Sequence, residues 1–171
     1  VALAWVPSGD RFYMRASAEW ELYRRLPTTD SARNERLARV ARDLKLGLSA
    51  NPADGRASLM LAVVLALQGA SARQVAVALL HSMDMAPNFR DLWLWRATYF
   101  FAAWTALSPD EAASVRGQLR AIWRNAPALR LPLLQSALAA GRDRELALSL
   151  VDEPDSRVEF EQLKASISPK R

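Results

Sequence analysis

Apolar side chains recur at three- and four-residue steps along almost the whole of this 171-residue chain. That spacing predicts amphipathic helices. No segment alternates apolar and polar residues as a strand does, and no glycine-rich strand-to-helix turn occurs. Short connections containing proline or glycine separate the periodic segments, which favours antiparallel helix hairpins. The pattern therefore predicts an all-α protein with about eight or nine helices.

Start and stop signals place the individual helices. Ser108, Pro109 and Glu111 form the sequence signature of a capping box with proline in the first turn. Ser71 is expected to cap the helix that follows it, and Gly69 and Gly141 to end the helices before them. The predicted helices cover about 10–26, 31–50, 54–68, 72–85, 88–107, 109–125, 131–140, 143–151 and 154–166.

The segment 88–107 is the most aromatic of the chain, and we expect it to lie at the centre of the fold. It is apolar nearly all round, which is typical of a helix buried between neighbours. Its charges, which include Arg96, leave an uncharged run too short to span a membrane. Arg96 is expected to pack its stem and hold its head in water, with a cation–π contact as the alternative. One stripe is the expected core face: Phe89, Trp93, Ala97, Phe100, Trp104 and Leu107.

Proline marks the junctions between successive helix pairs. Pro7, Pro52, Pro87 and Pro127 are separated by 45, 35 and 40 residues. A repeat of two helices at such a period predicts a stacked solenoid. We therefore expect a single domain over 1–171 with repeat units at about 7–51, 52–86, 87–126 and 127–167.

Residues 51–127 resemble tetratricopeptide repeats. The resemblance rests on a proline, large and small residues in order on a first helix, a glycine turn, a second helix and a closing proline: Pro52, Leu61, Ala62, Leu65, Gly69, Val75 or Ala76, Leu79, Ser82 and Pro87, followed by Trp93, Ala97 and Phe100. It implies a right-handed α–α superhelix. In that family the first helix of each pair lines a concave groove that binds a peptide or protein.

By position, the resemblance assigns a partner-binding groove to this chain. The groove would have an apolar middle and charged residues at its rim. The alternative is that the C-terminal helices fold over this face and bury it. The groove residues are Arg56, Leu59, Val63, Asp91, Leu94, Thr98, Phe101 and Thr105.

The side chains that most enzymes need are scarce. The chain has no cysteine and one histidine, His81, and it contains no phosphate-binding loop. No catalytic residue, cofactor site or metal site is predicted. We interpret His81 as a partly buried, hydrogen-bonded side chain. The leading hypothesis is a non-enzymatic scaffold that binds a protein or peptide partner.

The net charge of +5 comes from arginines that are spread over the chain. Nucleic-acid binders usually concentrate basic charge on one face, so nucleic acid is an unlikely partner. The alternative hypothesis is nonetheless a binder of nucleic acid or another anionic polymer. Its contacts would be the arginine-rich helix faces of Arg33, Arg36, Arg39, Arg42, Arg116, Arg120 and Arg124.

The first residues, Val1 to Val6, are apolar and include a tryptophan. They are interpreted either as the end of a removed membrane anchor or as a strap on the first helix pair. Arginine-rich, lysine-poor usage suggests a bacterial source. The resemblance to tetratricopeptide repeats implies attachment to bacterial envelope machinery, including polysaccharide assembly. Together with the apolar first residues it favours an extracytoplasmic domain of a membrane-anchored protein, with a cytoplasmic location as the alternative. Contact with a membrane is expected only through a segment outside residues 1–171.

Overall fold

A computed structural model describes residues 9–28 and 30–167 of the chain. Every regular element in these ranges is helical, as the apolar periodicity predicts. Single 3₁₀ turns lie at Trp104–Ala106 and Pro127–Leu129. The α-helices of the described ranges are α1 Gly9–Arg25, α2 Ala32–Ala50, α3 Gly55–Leu67, α4 Ala72–Met85, α5 Arg90–Ala103, α6 Pro109–Asn125, α7 Arg130–Ala139, α8 Asp143–Ser149 and α9 Pro154–Ile167.

Local signals explain why these helices begin and end where they do. The Asp54 carboxylate accepts hydrogen bonds from the first-turn amides of Arg56 and Ala57, at 3.0 and 2.9 Å, which fixes the start of α3. Capping boxes begin α4 at Ser71 and α6 at Ser108. Gly69 has a φ of 72°, a left-handed conformation that only glycine adopts without strain. The chain therefore leaves α3 in a tight turn.

The chain divides into two compact units, Val1–Asn88 and Phe89–Arg171. In the first unit, each helix from α1 to α4 packs on the next one along the chain. The division falls beside Pro87, where the third predicted repeat begins. The core between α1, α2 and α3 consists of Ala16, Tyr23, Leu37, Val40, Ala41, Leu44, Ala57, Leu61 and Val64.

The second unit has a different order of contacts. Helix α5 packs mainly on α7, α6 packs on α8, and α7 also contacts α8 and α9. Its largest fully buried side chains include Trp123 and Phe160, whose ring centroids lie 5.9 Å apart. The helices of both units pack in pairs, between successive helices in the first unit and mainly between helices two apart in the second. The handedness of the array and its membership of the tetratricopeptide family stay predictions.

The aromatic helix differs from the predicted pattern at both ends. Helix α5 begins at Arg90, so Phe89 is its N-cap and is 48% exposed. At the other end the α-helix stops at Ala103 and tightens into the 3₁₀ turn. Four residues of the expected core stripe are buried: Trp93, Ala97, Phe100 and Trp104. The prediction was wrong for Phe89, because a side chain outside the helix does not follow the helical stripe.

The prediction that the Arg96 guanidinium reaches water was wrong. The whole side chain is buried, and this burial lowers the pKa of Arg96 to about 10, because desolvation disfavours the charged form. The guanidinium therefore still carries its charge at neutral pH.

The expectations for Val1–Val6 and for Pro7 lie outside the described residues, as does the C-terminal tail 168–171. Within the described ranges, no helix combines the length and the apolar character that crossing a membrane requires.

Candidate functional site

The structure separates the eight predicted groove residues by exposure. In the first unit, Arg56 is exposed, whereas Leu59 and Val63 are buried. The face of α3 that carries Leu59 and Val63 is therefore covered by other parts of the chain. These two side chains do not offer an open surface to a partner.

In the second unit, Phe101 is buried, Leu94 is half-buried, and Asp91, Thr98 and Thr105 are exposed. The Thr98 hydroxyl donates a hydrogen bond to the Leu94 carbonyl at 2.9 Å and lies 3.1 Å from the Ser136 hydroxyl of α7.

The exposed aromatic side chain of α5 is Trp95 rather than Phe101. Trp95 is 56% exposed, while Phe101 is 1% exposed. The predicted groove includes Phe101 and leaves out Trp95. Periodicity alone could not decide between them, because both faces of α5 are apolar.

An open cleft of about 480 Å³ lies within the first unit, between α2, α3 and α4. We refer to it as the α3 cleft, because α3 supplies Ser58, Leu61 and Leu65 at helical spacing. The other lining residues come from the two flanking helices: Lys45 and Leu48 of α2, and Arg73, Gln74, Val77, Ala78 and His81 of α4.

The α3 cleft and the predicted groove use different faces of the same helix. The groove residues of α3 are at 56, 59 and 63, and the cleft residues are at 58, 61 and 65. A shift of two positions turns the face by about 200°. Leu61 and Leu65 are among the residues that carry the resemblance to a tetratricopeptide first helix, and Leu61 also belongs to the buried core of the first unit.

His81 and Ser58 form the main polar contact of the cleft. The His81 Nδ1 atom lies 2.8 Å from the Ser58 Oγ atom, and the same hydroxyl lies 3.0 Å from the Asp54 carbonyl. Since a carbonyl only accepts, the serine proton belongs to that bond. The Nδ1 atom of His81 must then be the donor to Ser58. The prediction of a partly buried, hydrogen-bonded histidine is confirmed.

This hydrogen-bond order differs from that of a nucleophilic serine. A histidine that activates serine accepts the hydroxyl proton. Here the hydroxyl donates to the backbone of its own helix, four residues earlier. The pair therefore fixes the histidine tautomer and the orientation of its ring.

Within the described part of the chain, acidic side chains and histidine do not cluster in a way that suits a metal ion. Across residues 9–28 and 30–167, no group of three or more potential ligands comes together.

The arginines of α6 bind acidic residues of the same unit. Arg116 binds Glu145 of α8 at 2.6 Å, and Arg120 contacts Asp152 at 3.2 Å. Arg120 also donates to the Ser149 carbonyl at 2.8 Å. Arg124 completes the row, with its Nε atom 3.6 Å from the Glu153 carboxylate. The row joins α6 to α8 and the turn that follows it.

The arginines of α2 are engaged in a similar way. Arg36 binds Glu19 of α1 at 2.8 Å, and Arg39 lies 3.6 Å from the same carboxylate. Arg33 donates to the Leu26 carbonyl and lies over the Tyr23 ring, with 4.1 Å to the ring centroid. Arg42 makes a looser contact, 4.0 Å from Asp43.

Comparison of the chain with protein-family models, with curated proteins and with solved structures finds no match. The likeness to tetratricopeptide repeats thus depends on the sequence pattern alone.

Proposed function

We propose that this chain is a non-enzymatic interaction domain that binds an apolar segment of a peptide or protein in the α3 cleft. The helical pairs would form a tetratricopeptide-like superhelix that holds the cleft in place. The proposal moves the binding site from the predicted groove, whose members Leu59, Val63 and Phe101 are buried, to the opposite side of α3.

The observation that carries the proposal is the open, largely apolar cleft between three helices. Its volume of about 480 Å³ lies in the range of ligand sites, which combine an apolar lining with a few polar groups. Grooves of this kind between helices commonly receive an amphipathic helix or an extended segment.

The size of the cleft also sets the expected affinity. Burial of one leucine-sized side chain contributes about 1.5–3 kcal/mol, so two such anchors contribute about 3–6 kcal/mol. Ordering the bound segment offsets part of this gain. Even before this offset, about 3–6 kcal/mol corresponds to a dissociation constant of roughly 40 μM to 6 mM, so a short segment should bind weakly, with a dissociation constant on the order of a millimolar.

A peptide selection tests the proposal. Random short peptides displayed on phage are selected on the full chain, and the enriched peptides are assayed against two variants. Val77→Asp places a charge in the cleft at a side chain that is 50% exposed, so the fold should tolerate it. Leu46→Asp is the matched control, because Leu46 is 42% exposed on α2 and does not line the cleft.

The expected result is that Val77→Asp weakens peptide binding about tenfold or more, the equivalent of about 1.4 kcal/mol, while Leu46→Asp leaves it unchanged. Circular dichroism and unfolding midpoints verify that both variants are folded. Equal binding by the wild-type chain and the folded Val77→Asp variant would refute the assignment of the cleft.

The contacts of the arginines do not favour the anionic-polymer alternative. Arg36, Arg116 and Arg120 already bind carboxylates at 2.6–3.2 Å. A polyanion would have to displace these acids and would gain less from counterion release than it would from a free basic face.

A further inference from the structure

The charged residues of the α3 cleft are of one sign. Among the described residues that line it, Lys45 and Arg73 are cationic and none is acidic. An apolar cleft with this lining disfavours a cationic ligand and accepts an anionic one.

Lys45 differs from the other cations of its helix. Arg36 and Arg39 contact Glu19, and Arg42 lies near Asp43. Lys45, three residues after Arg42, is exposed and makes no ion pair or hydrogen bond within the part of the chain that the structure describes. Its ammonium on a flexible stem can therefore bind an anion carried by a ligand.

His81 adds a second polar requirement. Its Nδ1–H is committed to Ser58, which is itself fixed by the Asp54 carbonyl. The Nε2 atom of the neutral ring then carries a lone pair and can accept a hydrogen bond. A ligand that satisfies the cleft combines an apolar body, a carboxylate and an N–H donor.

We propose that the α3 cleft selects a peptide segment with apolar side chains along its middle and an aspartate or glutamate opposite Lys45. This inference rests on the function proposed above. A long-chain fatty acid supplies the apolar body and the carboxylate, but it has no N–H group for His81. A peptide segment supplies all three groups, which is why a peptide is the better ligand.

The test uses the peptides selected on the full chain, synthesised with and without their acidic residues. Aspartate or glutamate should be enriched at one position, and its amide counterpart should bind more weakly. Lys45→Glu should weaken binding of the acidic peptides about 5- to 10-fold. A peptide with lysine at the acidic position should recover affinity for Lys45→Glu, because the pair is then restored with reversed signs.

Arg25→Glu is the matched control for the change in net charge. Arg25 is exposed at the end of α1 and does not line the cleft. This variant should bind the acidic peptides within about twofold of the wild-type chain, because exposed charges away from the site are screened. An equal loss in Arg25→Glu and Lys45→Glu would overturn the role of Lys45.

The possible outcomes separate the two proposals. Two results would overturn the acidic preference and leave the proposed function intact. In one, peptides whose binding is weakened by Val77→Asp contain no acidic residue. In the other, Lys45→Glu does not change the affinity of the acidic peptides. Failure of Val77→Asp to affect any peptide would overturn both. A fluorescent long-chain fatty acid is tested alongside, and its Val77-dependent binding in the absence of peptide binding would overturn the choice of a peptide.

Discussion

Gly55 allows the first turn of α3 to approach the end of α4. A Cβ atom built on Gly55 would lie 2.5 Å from the Ala86 Cβ atom and 3.0 Å from the Ser82 carbonyl. The Ser82 hydroxyl also donates to the Gly55 carbonyl at 2.6 Å. The backbone contact and the hydrogen bond together hold the start of α3 close to the end of α4. Both of these helices line the α3 cleft.

We expect Gly55→Ala to lower the free energy of unfolding by about 1–3 kcal/mol, because the added methyl group overpacks this contact. Gly117→Ala is the matched control, since a Cβ there meets no atom within 4 Å and the residue lies inside α6. In that variant the free energy of unfolding should rise by about 0.5–1 kcal/mol, because alanine has a higher helix propensity than glycine. Urea unfolding measures the free energy of unfolding of both variants. A change of the same sign in the two would contradict the close approach between Gly55 and Ala86.

Residue-scale features of this kind could be predicted from the sequence only where their cause is local. The capping serines Ser71 and Ser108 could be identified because their partners lie three residues away. The burial of Arg96 could not, because it depends on what packs around α5. The same limit applies to Phe101, since both faces of α5 are apolar and the sequence does not show which of them is covered.

At the scale of the elements, α8 and α9 are joined by an ion pair. The Lys164 Nζ atom lies 2.7 Å from the Asp143 carboxylate. This hydrogen bond lowers the pKa of Asp143 below its ordinary value of 3.8 and raises the pKa of Lys164 above 10.5. The stabilisation from Asp143 is therefore complete above pH 3.8 and is lost as the pH falls through the lowered pKa. The lysine's contribution is lost only as the pH rises through its raised pKa.

We expect Asp143→Asn to destabilise the chain at pH 7 by at most about 1 kcal/mol, because both partners are partly exposed and solvent screens the pair. The difference from the wild-type chain should shrink as the pH falls below 3.8. Urea unfolding at a series of pH values measures it. Asp155→Asn, which changes a first-turn aspartate of α9, controls for the helix dipole. A difference that stays constant down to the lowest pH would contradict the assignment.

The bounds of the helices could be predicted because the signals that set them are short-range. Helix α4 was predicted at its observed bounds, and the start of α6 followed from Ser108, Pro109 and Glu111. Helix α5 is an exception at both ends: it begins at Arg90, two residues after the predicted start, and at Trp104 the chain tightens into a 3₁₀ turn. No proline, glycine or capping residue marks that point in the sequence.

At the scale of the whole molecule, the all-helical class follows from the apolar period, whereas the binding site does not. The α3 cleft depends on the distance between α2 and α4, which no local pattern encodes. Leu61 is both a core residue and a lining residue of the cleft, and only the three-dimensional arrangement shows that Ser58, Leu61 and Leu65 lie along an opening. His81 was correctly expected to be hydrogen-bonded, but its partner Ser58 lies 23 residues away.

The most direct test of the α3 cleft follows the one histidine of the chain by NMR. The imidazole signals of His81 are unambiguous, and a peptide selected on the full chain is titrated into the labelled protein. If the peptide binds in the cleft, the His81 signals and the Val77 amide shift and saturate together, and the folded Val77→Asp variant does not show the His81 shift. If the peptide binds while the His81 signals stay fixed, the cleft is not the binding site.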